Sequence, residues 1–130
     1  MRVRWDKPRR YRNEPTVVDG VTWDSHAEAN HYLTLKLRLA AGEIRDLRWH
    51  VKYPLVVNGH RVTSYTADFV YEEKVGLAWQ PVIEDTKSEP TRRKDAYRIK
   101  NKLMHALGYS IREVLSTYRH KYLPYMSRHK

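Results

Sequence analysis

The sequence predicts an α/β domain whose elements follow in the order helix, three strands, helix, strand. Three observations lead to this order: a capped helical pattern after Ser25, three strand-like segments between Ile44 and Lys87, and a second helical pattern that ends before Gly108. A chain of 130 residues has room for one domain with a modest core. Because cysteine is absent, neither disulfides nor thiolate zinc sites are available to this chain.

The first elements are predicted to be a short hairpin and a long helix. Residues 17–23 place apolar and β-branched side chains around Asp19-Gly20, a pair that is typical of tight turns. Ser25-His26-Ala27-Glu28 then fits a capping box, which begins a helix. Gly42 ends this helix after apolar residues at helical spacing, namely Ala29, Tyr32, Leu33, Leu37 and Ala40.

Three strands are predicted to follow. Residues 44–57 are extended, with an interruption at Pro54, and Asn58-Gly59 favours a type I′ turn into a second strand over residues 60–71. A third strand is predicted from about residue 77 to Lys87, where β-branched and aromatic residues are again frequent.

A second helix is predicted from Arg92 to Leu107 with Thr91 as its N-cap, and a last strand covers residues 109–115. One side of this helix is apolar and consists of Ala96, Ile99, Leu103 and Leu107. The other side lacks carboxylates, which favours contact with phosphates over a merely solvated surface. That side consists of Lys94, Arg98, Asn101, Lys102 and His105.

Charge is distributed unevenly along the chain. The net charge of +10 comes from 6 basic and 2 acidic residues in 1–15, 7 and 10 in 16–85, and 12 and 3 in 86–130. We therefore divide the chain into a basic N-terminal arm (1–15), a central domain (16–115) and a basic, aromatic C-terminal tail (116–130). Basic ends around an acidic middle are expected of a protein that binds a polyanion and holds metal ions at its centre.

The arm contains prolines and no apolar period, so we expect an extended or mobile segment whose Arg9, Arg10 and Arg12 lie on a phosphate backbone. Heparin-like polymers or a membrane surface are alternatives, although the sequence has neither a lipidation signal nor a surface-lying helix. The N-terminus is charged, and no segment approaches about 18 apolar residues, the length of a membrane span. These features predict a cytosolic protein.

Carboxylates occur inside two predicted strands, where burial and β-propensity disfavour them. Asp68 lies in an otherwise apolar and aromatic run, and Glu84 and Asp85 lie in the next strand, shortly before Lys87. Alternation directs Asp85 and Lys87 to one face and Glu84 to the other. If the two strands are antiparallel neighbours, Asp68 and Asp85 converge.

Two converging aspartates repel each other unless a cation lies between them. A site made only of oxygen ligands selects a hard ion such as magnesium or manganese. A lysine two residues beyond can stabilise charge on a phosphate during metal-assisted cleavage. The simpler alternative is an Asp-Lys ion pair at a strand end.

This combination resembles the signature of the PD-(D/E)XK nuclease superfamily, an aspartate followed by acid-x-Lys, here Asp68 and Asp85-Thr86-Lys87. Within that superfamily the chain is similar to small phage-encoded endonucleases, which themselves resemble archaeal-type Holliday junction resolvases. The similarity covers roughly residues 17–115, and Ala67 stands where the superfamily motif has proline. It is also carried by Ser25-His26-Ala27-Glu28-Ala29, Leu39-Ala40-Ala41-Gly42-Glu43-Ile44, Tyr65-Thr66-Ala67-Asp68-Phe69-Val70-Tyr71 and Tyr97-Arg98-Ile99-Lys100.

The resemblance implies a restriction-endonuclease-like core, with a mixed central sheet flanked by helices. It further implies that Asp68 and Asp85 bind Mg²⁺, for which Mn²⁺ can substitute, with help from the Thr86 carbonyl, while Lys87 orients the attacking water. Glu28 would complete the site as catalytic residue and metal ligand. The alternative is that Glu28 is only the capping partner of Ser25, a contribution of about 1 kcal/mol.

The resemblance also implies the substrate and the assembly. A structure-selective DNA endonuclease that nicks four-way junctions symmetrically would act as a two-fold homodimer. Tyr97 and Lys100 would reach the scissile phosphate, or would be a packed tyrosine and a solvated lysine. Three alternatives stay open, of which two are a nuclease of the same fold with a nicking, flap or sequence-specific target, and a DNA-binding module without catalysis. A basic RNA-binding protein is a third.

Overall fold

The computed structural model describes residues 15–87 and 94–115, except for the side chains of Lys87 and Leu115. The predicted arm, apart from its last residue, and the predicted tail therefore lie outside the described residues, and Arg9, Arg10 and Arg12 lie there with the arm. The chain divides into two compact units, with the boundary after Thr34. Each unit is built from the local signals described above.

The first unit contains the predicted short hairpin, formed by β1 (Thr16–Val18) and β2 (Val21–Trp23). Asp19 and Gly20 connect the strands with φ angles of 55° and 76°, as a type I′ turn requires. Trp23 is buried, and its ring lies 4.6 Å from that of Tyr32. The Tyr32 hydroxyl donates to Asp19 Oδ2 at 2.8 Å, which ties the helix to the turn.

The long helix α1 (His26–Ala40) begins and ends where the sequence predicts. Glu28 N–H donates to Ser25 Oγ at 3.1 Å, so the serine is the N-cap. At the other end, Gly42 (φ 78°) allows Gly42 N–H to bond to Leu39 and Glu43 N–H to Arg38, which is a Schellman motif. The buried side of the helix differs from the predicted one in its second half, because Leu35 is buried whereas Leu37 is 73 % exposed.

A four-stranded mixed sheet dominates the second unit. Its strands stand in the order β3 (Ile44–Val57), β4 (His60–Val75), β5 (Ala78–Lys87) and β6 (Ile111–Leu115). The first three are antiparallel neighbours, and β6 runs parallel to β5. The predicted α/β class with a mixed sheet is therefore confirmed.

The connections within the sheet follow their sequence signals. Asn58 and Gly59 have φ angles of 51° and 80°, which confirms the predicted type I′ turn. Pro54 does not interrupt β3 as predicted, because β3 is an edge strand and an edge tolerates a residue without an N–H group. β4 continues to Val75 rather than ending at Tyr71, since its last residues pair with the first residues of β5, up to Val75 with Ala78.

The second helix, α2 (Asp95–Ala106), departs from the prediction in two ways. It begins at Asp95 rather than Arg92, because Lys94 is extended (φ −72°, ψ 137°), so Thr91 is not its N-cap. Its inward side is also rotated: Met104 is fully buried, whereas Ile99 is 62 % exposed. No helix in the described part of the chain is long and apolar enough to span a membrane.

Candidate active site

Asp68 and Asp85 meet where β4 and β5 separate. The last paired residues of the two strands are Phe69 and Glu84, and the aspartates come next on each strand. Asp68 N–H donates to Asp85 Oδ1 at 3.2 Å, and Thr86 N–H donates to Asp68 Oδ2 at 2.7 Å. Each carboxylate thus accepts a peptide N–H of the opposite strand, in place of the ladder hydrogen bonds that end there.

Beyond this point β5 continues as the partner of β6. Asp85 pairs with Glu113 in the parallel ladder, and Lys87, the last residue of β5, pairs with Leu115. Asp85 is completely buried, while Asp68 is only partly buried and forms the accessible side of the pair. The structure therefore brings together the two aspartates that the sequence predicts to converge.

A tyrosine holds the buried aspartate from the other side. The Tyr65 hydroxyl donates to Asp85 Oδ2, and Tyr65 itself is only 3 % exposed. Burial, followed by the negative charge of Asp85 and this hydrogen bond, raises the pKa of Tyr65 well above its ordinary value. The phenol therefore remains a proton donor to the carboxylate across the whole physiological pH range.

A third carboxylate, which the sequence did not indicate, lies beside Asp85. Glu113 occupies the position next to Asp85 on β6, and paired positions project from the same face of a sheet. It accepts a hydrogen bond from the Tyr97 hydroxyl, and Asn101 Nδ2 lies 3.2 Å from that hydroxyl and 3.4 Å from Glu113 Oε2. Burial and the bond to Glu113 raise the pKa of Tyr97, and the charge of Asp85 contributes to the increase.

The third strand of the site is irregular opposite Asp68. His50 of β3 has a φ of 54°, a left-handed conformation that is unusual in a strand. It lies between Trp49 and Val51, whose partners on β4 flank Asp68. Strained backbone of this kind is frequent at functional sites, although the histidine was not singled out from the sequence.

The opposite face of the sheet carries a different set of charges, here called the arginine network. Glu84 is 3 % exposed and accepts a hydrogen bond of 2.6 Å from the Tyr71 hydroxyl. Arg112 lies 3.9 Å from Glu84 and forms a two-point ion pair with Glu73 at 3.0 and 3.3 Å. Arg38 of α1 completes the network at 2.9 Å from Glu73.

Comparison with known proteins assigns the chain to a family. The family described as "Protein of unknown function (DUF1064)" matches residues 8–127, almost the whole chain. The chain belongs to the DUF1064 family. Searches of curated proteins and of solved structures returned no match.

The other predicted site residues of this DUF1064 protein are placed as follows. Lys87 ends β5 two residues after Asp85, and its side chain is outside the described part of the structure. Glu28 belongs to the first unit, where it is 4 % exposed and its Oε1 accepts the Asp24 N–H at 3.0 Å. Its carboxylate thus does reach back to the chain before the helix, as a capping-box residue does.

A metal ion would find oxygen ligands at this site in the DUF1064 protein. The predicted ligands in the second unit are the carboxylates of Asp68 and Asp85 and the peptide carbonyl of Thr86, a set that suits Mg²⁺ or Mn²⁺. Among the described residues, no group of three or more histidine, cysteine, aspartate or glutamate side chains is arranged to hold a metal. The two-carboxylate set therefore fits the ion in ligand type, with additional ligands needed to complete its coordination.

The predicted DNA-contacting residues of α2 occupy different environments. Lys94, Arg98 and Lys102 are exposed, whereas Lys100 is partly buried and Tyr97 is engaged with Glu113. A shallow groove of about 450 Å³ runs along this side of the DUF1064 protein. It is lined by Tyr97, Arg98, Asn101, Lys102, Ile111 and Glu113.

Proposed function

We propose that this protein is a divalent-metal-dependent endodeoxyribonuclease of the PD-(D/E)XK superfamily that acts in the cytosol. The observation that carries the proposal is the meeting of Asp68 and Asp85 where β4 and β5 separate, two residues before Lys87. The observed order of helix, three strands, helix and strand supports it, since the same order characterises the restriction-endonuclease-like core.

Asp68, Asp85 and the Thr86 carbonyl would hold Mg²⁺ or Mn²⁺, and the participation of Glu28 stays a prediction from the sequence. A bound divalent cation supplies Lewis-acid polarisation of a phosphate oxygen and lowers the pKa of a coordinated water. The protein's own contribution is to fix the two aspartates: peptide N–H groups hold an oxygen of each, and the Tyr65 hydroxyl holds the second oxygen of Asp85. Such preorganisation positions the carboxylates before the cation arrives.

Lys87 would orient the attacking water and stabilise negative charge on the phosphate. Lys87 follows Asp85 by two residues in β5, and alternate residues of a strand share a face. For Glu28, capping and catalysis are separable by comparing Glu28→Gln with Ser25→Ala. The second variant removes the bond to the helix N-terminus and leaves the carboxylate in place.

DNA would contact the groove along α2. Its cations, Arg98 and Lys102, are exposed, and the groove reaches Glu113, the neighbour of Asp85 in the sheet. A phosphate backbone lying there would pass close to the aspartates. We propose four-way junctions as the preferred DNA and a two-fold homodimer as the acting species, because two symmetric cuts require two active sites.

The proposal is tested by cleavage of a labelled four-way junction, a flap and a linear duplex, in Mg²⁺ and in EDTA. We expect Asp68→Asn to reduce the cleavage rate at least about a hundredfold, since it removes a charged metal ligand. Asp46→Asn is the matched control. Asp46 is an exposed aspartate of the same sheet with a φ of 55°, a conformation that asparagine adopts readily.

Each outcome of this assay supports one interpretation of the function. Paired symmetric nicks at the junction that need both metal and Asp68 establish a resolvase. Metal-dependent cutting of the flap or duplex keeps the nuclease and changes its target. Tight DNA binding without any cleavage, unaffected by EDTA, points to a binding module and contradicts the proposal, as does a variant Asp68→Asn that cuts as fast as the wild type.

A further inference from the structure

Tyr65 is the side chain that fixes the orientation of the buried aspartate. Asp85 Oδ1 accepts the Asp68 N–H, and Asp85 Oδ2 accepts the Tyr65 hydroxyl. The carboxylate is thereby held at both ends, once by the backbone and once by a side chain. Only the second of these hydrogen bonds can be removed by substitution.

The ring of Tyr65 is itself held by packing. It belongs to a buried cluster with Leu55, Ala67 and Met104, and it lies 6.3 Å from the ring of Tyr53. Tyr53 in turn packs edge-on against Tyr109 at 5.2 Å. Because these contacts involve the ring rather than the hydroxyl, the position of the phenol oxygen is set by the core and does not depend on Asp85.

We propose that Tyr65 is a positioning residue, which holds the Asp85 carboxylate in the orientation that binds a divalent cation. This inference rests on the proposed nuclease function. Without the hydroxyl, Asp85 can rotate about its last side-chain bond, and a ligand that must be ordered by the metal binds it more weakly. Tyr65 touches neither the DNA nor the reacting atoms, so its loss should change the metal requirement more than the chemistry.

The chain provides a matched control on the same strand. Tyr71 is 1 % exposed, and its hydroxyl donates to Glu84, the buried carboxylate adjacent to Asp85. Tyr65→Phe and Tyr71→Phe therefore each remove a buried tyrosine hydroxyl that donates a hydrogen bond to a carboxylate of β5. They differ in which face of the sheet loses its hydrogen bond, and Tyr71→Phe also removes the bond of 3.3 Å that Arg112 donates to the Tyr71 hydroxyl.

The test compares the two variants by Mn²⁺ titration calorimetry and by the Mg²⁺ dependence of DNA cleavage, with thermal unfolding in EDTA as the check on folding. For Tyr65→Phe we expect about a tenfold weaker metal affinity and a half-saturating Mg²⁺ concentration raised by the same factor. Its rate at saturating Mg²⁺ should stay within about threefold of wild type, because the chemistry is unchanged. Tyr71→Phe should keep the wild-type metal dependence.

Two results would overturn the inference. In the first, Tyr65→Phe binds Mn²⁺ with the affinity of the wild type. In the second, both variants shift the metal dependence equally, which indicates a general loosening of the sheet. Failure of the proposed function has a different signature, since then the wild type itself neither binds Mn²⁺ nor cleaves DNA. In that case both proposals are wrong. If the wild type binds Mn²⁺ and cleaves DNA while Tyr65→Phe keeps the same metal dependence, only the positioning role of Tyr65 is wrong.

Discussion

Glu84 and Asp85 are neighbours in β5, both are buried, and they face opposite sides of the sheet. Each accepts a hydrogen bond from a buried tyrosine of β4, Tyr71 for Glu84 and Tyr65 for Asp85. Beyond this shared contact the two sides differ. Glu84 adjoins Arg112, whereas Asp85 adjoins two other carboxylates, those of Asp68 and Glu113.

The two sides of the sheet thus place their buried carboxylates in different electrostatic surroundings. On the arginine side, Glu73 lies between Arg112 and Arg38, and their hydrogen bonds lower its pKa to about 2. Positive charges compensate the negative ones within the protein. On the aspartate side, the hydrogen-bond donors to the two carboxylates include peptide N–H groups and the Tyr65 hydroxyl, and under the proposed function a divalent cation would supply the positive charge.

The largest expected effect comes from exchanging each carboxylate for its amide. Asp85→Asn should reduce metal-dependent cleavage at least about a hundredfold, because it removes a charged metal ligand. Glu84→Gln should keep cleavage within a few-fold and lower the free energy of unfolding by about 1 kcal/mol. Urea unfolding in EDTA and junction cleavage in Mg²⁺ measure both effects.

The contrast between Glu84 and Asp85 is contradicted if the two variants behave alike. Should Asp85→Asn lose stability in EDTA as Glu84→Gln does and keep its cleavage, Asp85 is a structural residue like its neighbour. Should Glu84→Gln lose cleavage as severely as Asp85→Asn, the arginine network takes part in function.

Local signals in the sequence accounted for most of the fold. Asp19-Gly20 and Asn58-Gly59 gave type I′ turns, and the Ser25 cap and Gly42 bounded α1, because these effects depend only on neighbouring residues. The inward side of α2 was not predictable in this way. Tyr97 turns inward to meet Glu113, a residue of a later strand, and the exposed Ile99 shows that apolar spacing alone does not decide the side.

The candidate site was predictable only in part, for the same reason. Asp68 and Asp85 were visible as carboxylates in apolar strands, and antiparallel pairing of β4 with β5 brings them together. Glu113 was not visible, since its place beside Asp85 depends on the parallel register of β5 and β6. The role of Tyr65 was equally hidden, because a buried tyrosine has no pattern that reveals which carboxylate its hydroxyl meets.

A second test of the contrast between Glu84 and Asp85 removes Arg112, the cation that adjoins Glu84. We expect Arg112→Met to lower the free energy of unfolding by about 2 kcal/mol, since Glu84 then loses this cation and Glu73 keeps its pair with Arg38 but loses the one with Arg112. Half-exposure of Arg112 keeps the loss below that of a fully buried pair. The double variant Arg112→Met with Glu84→Gln should recover part of it. Urea unfolding of the three variants measures the coupling, and strictly additive losses would contradict a network.

The smallest expected effect concerns the acid sensitivity of the arginine network. The pKa of Glu73 falls from an ordinary 4.5 to about 2 through its bonds to Arg112 and Arg38, so the ionised carboxylate stabilises the folded state above pH 4.5. This contribution disappears as the pH falls from 4.5 towards 2. The full shift would correspond to about 3 kcal/mol, but solvent screening of a partly exposed side chain reduces the expectation to about 1 kcal/mol.

Glu73→Gln should therefore be about 1 kcal/mol less stable than wild type at pH 7 and equally stable only below about pH 2, as measured by urea unfolding across this range. Glu72→Gln is the control, because the pair of Glu72 with Arg45 is more exposed and such pairs contribute little. Cleavage by Glu73→Gln at pH 7 should match the wild type. A stability difference that persists undiminished below about pH 2 would show that packing rather than charge is responsible, and a loss of cleavage would show that the two faces of the sheet are not independent.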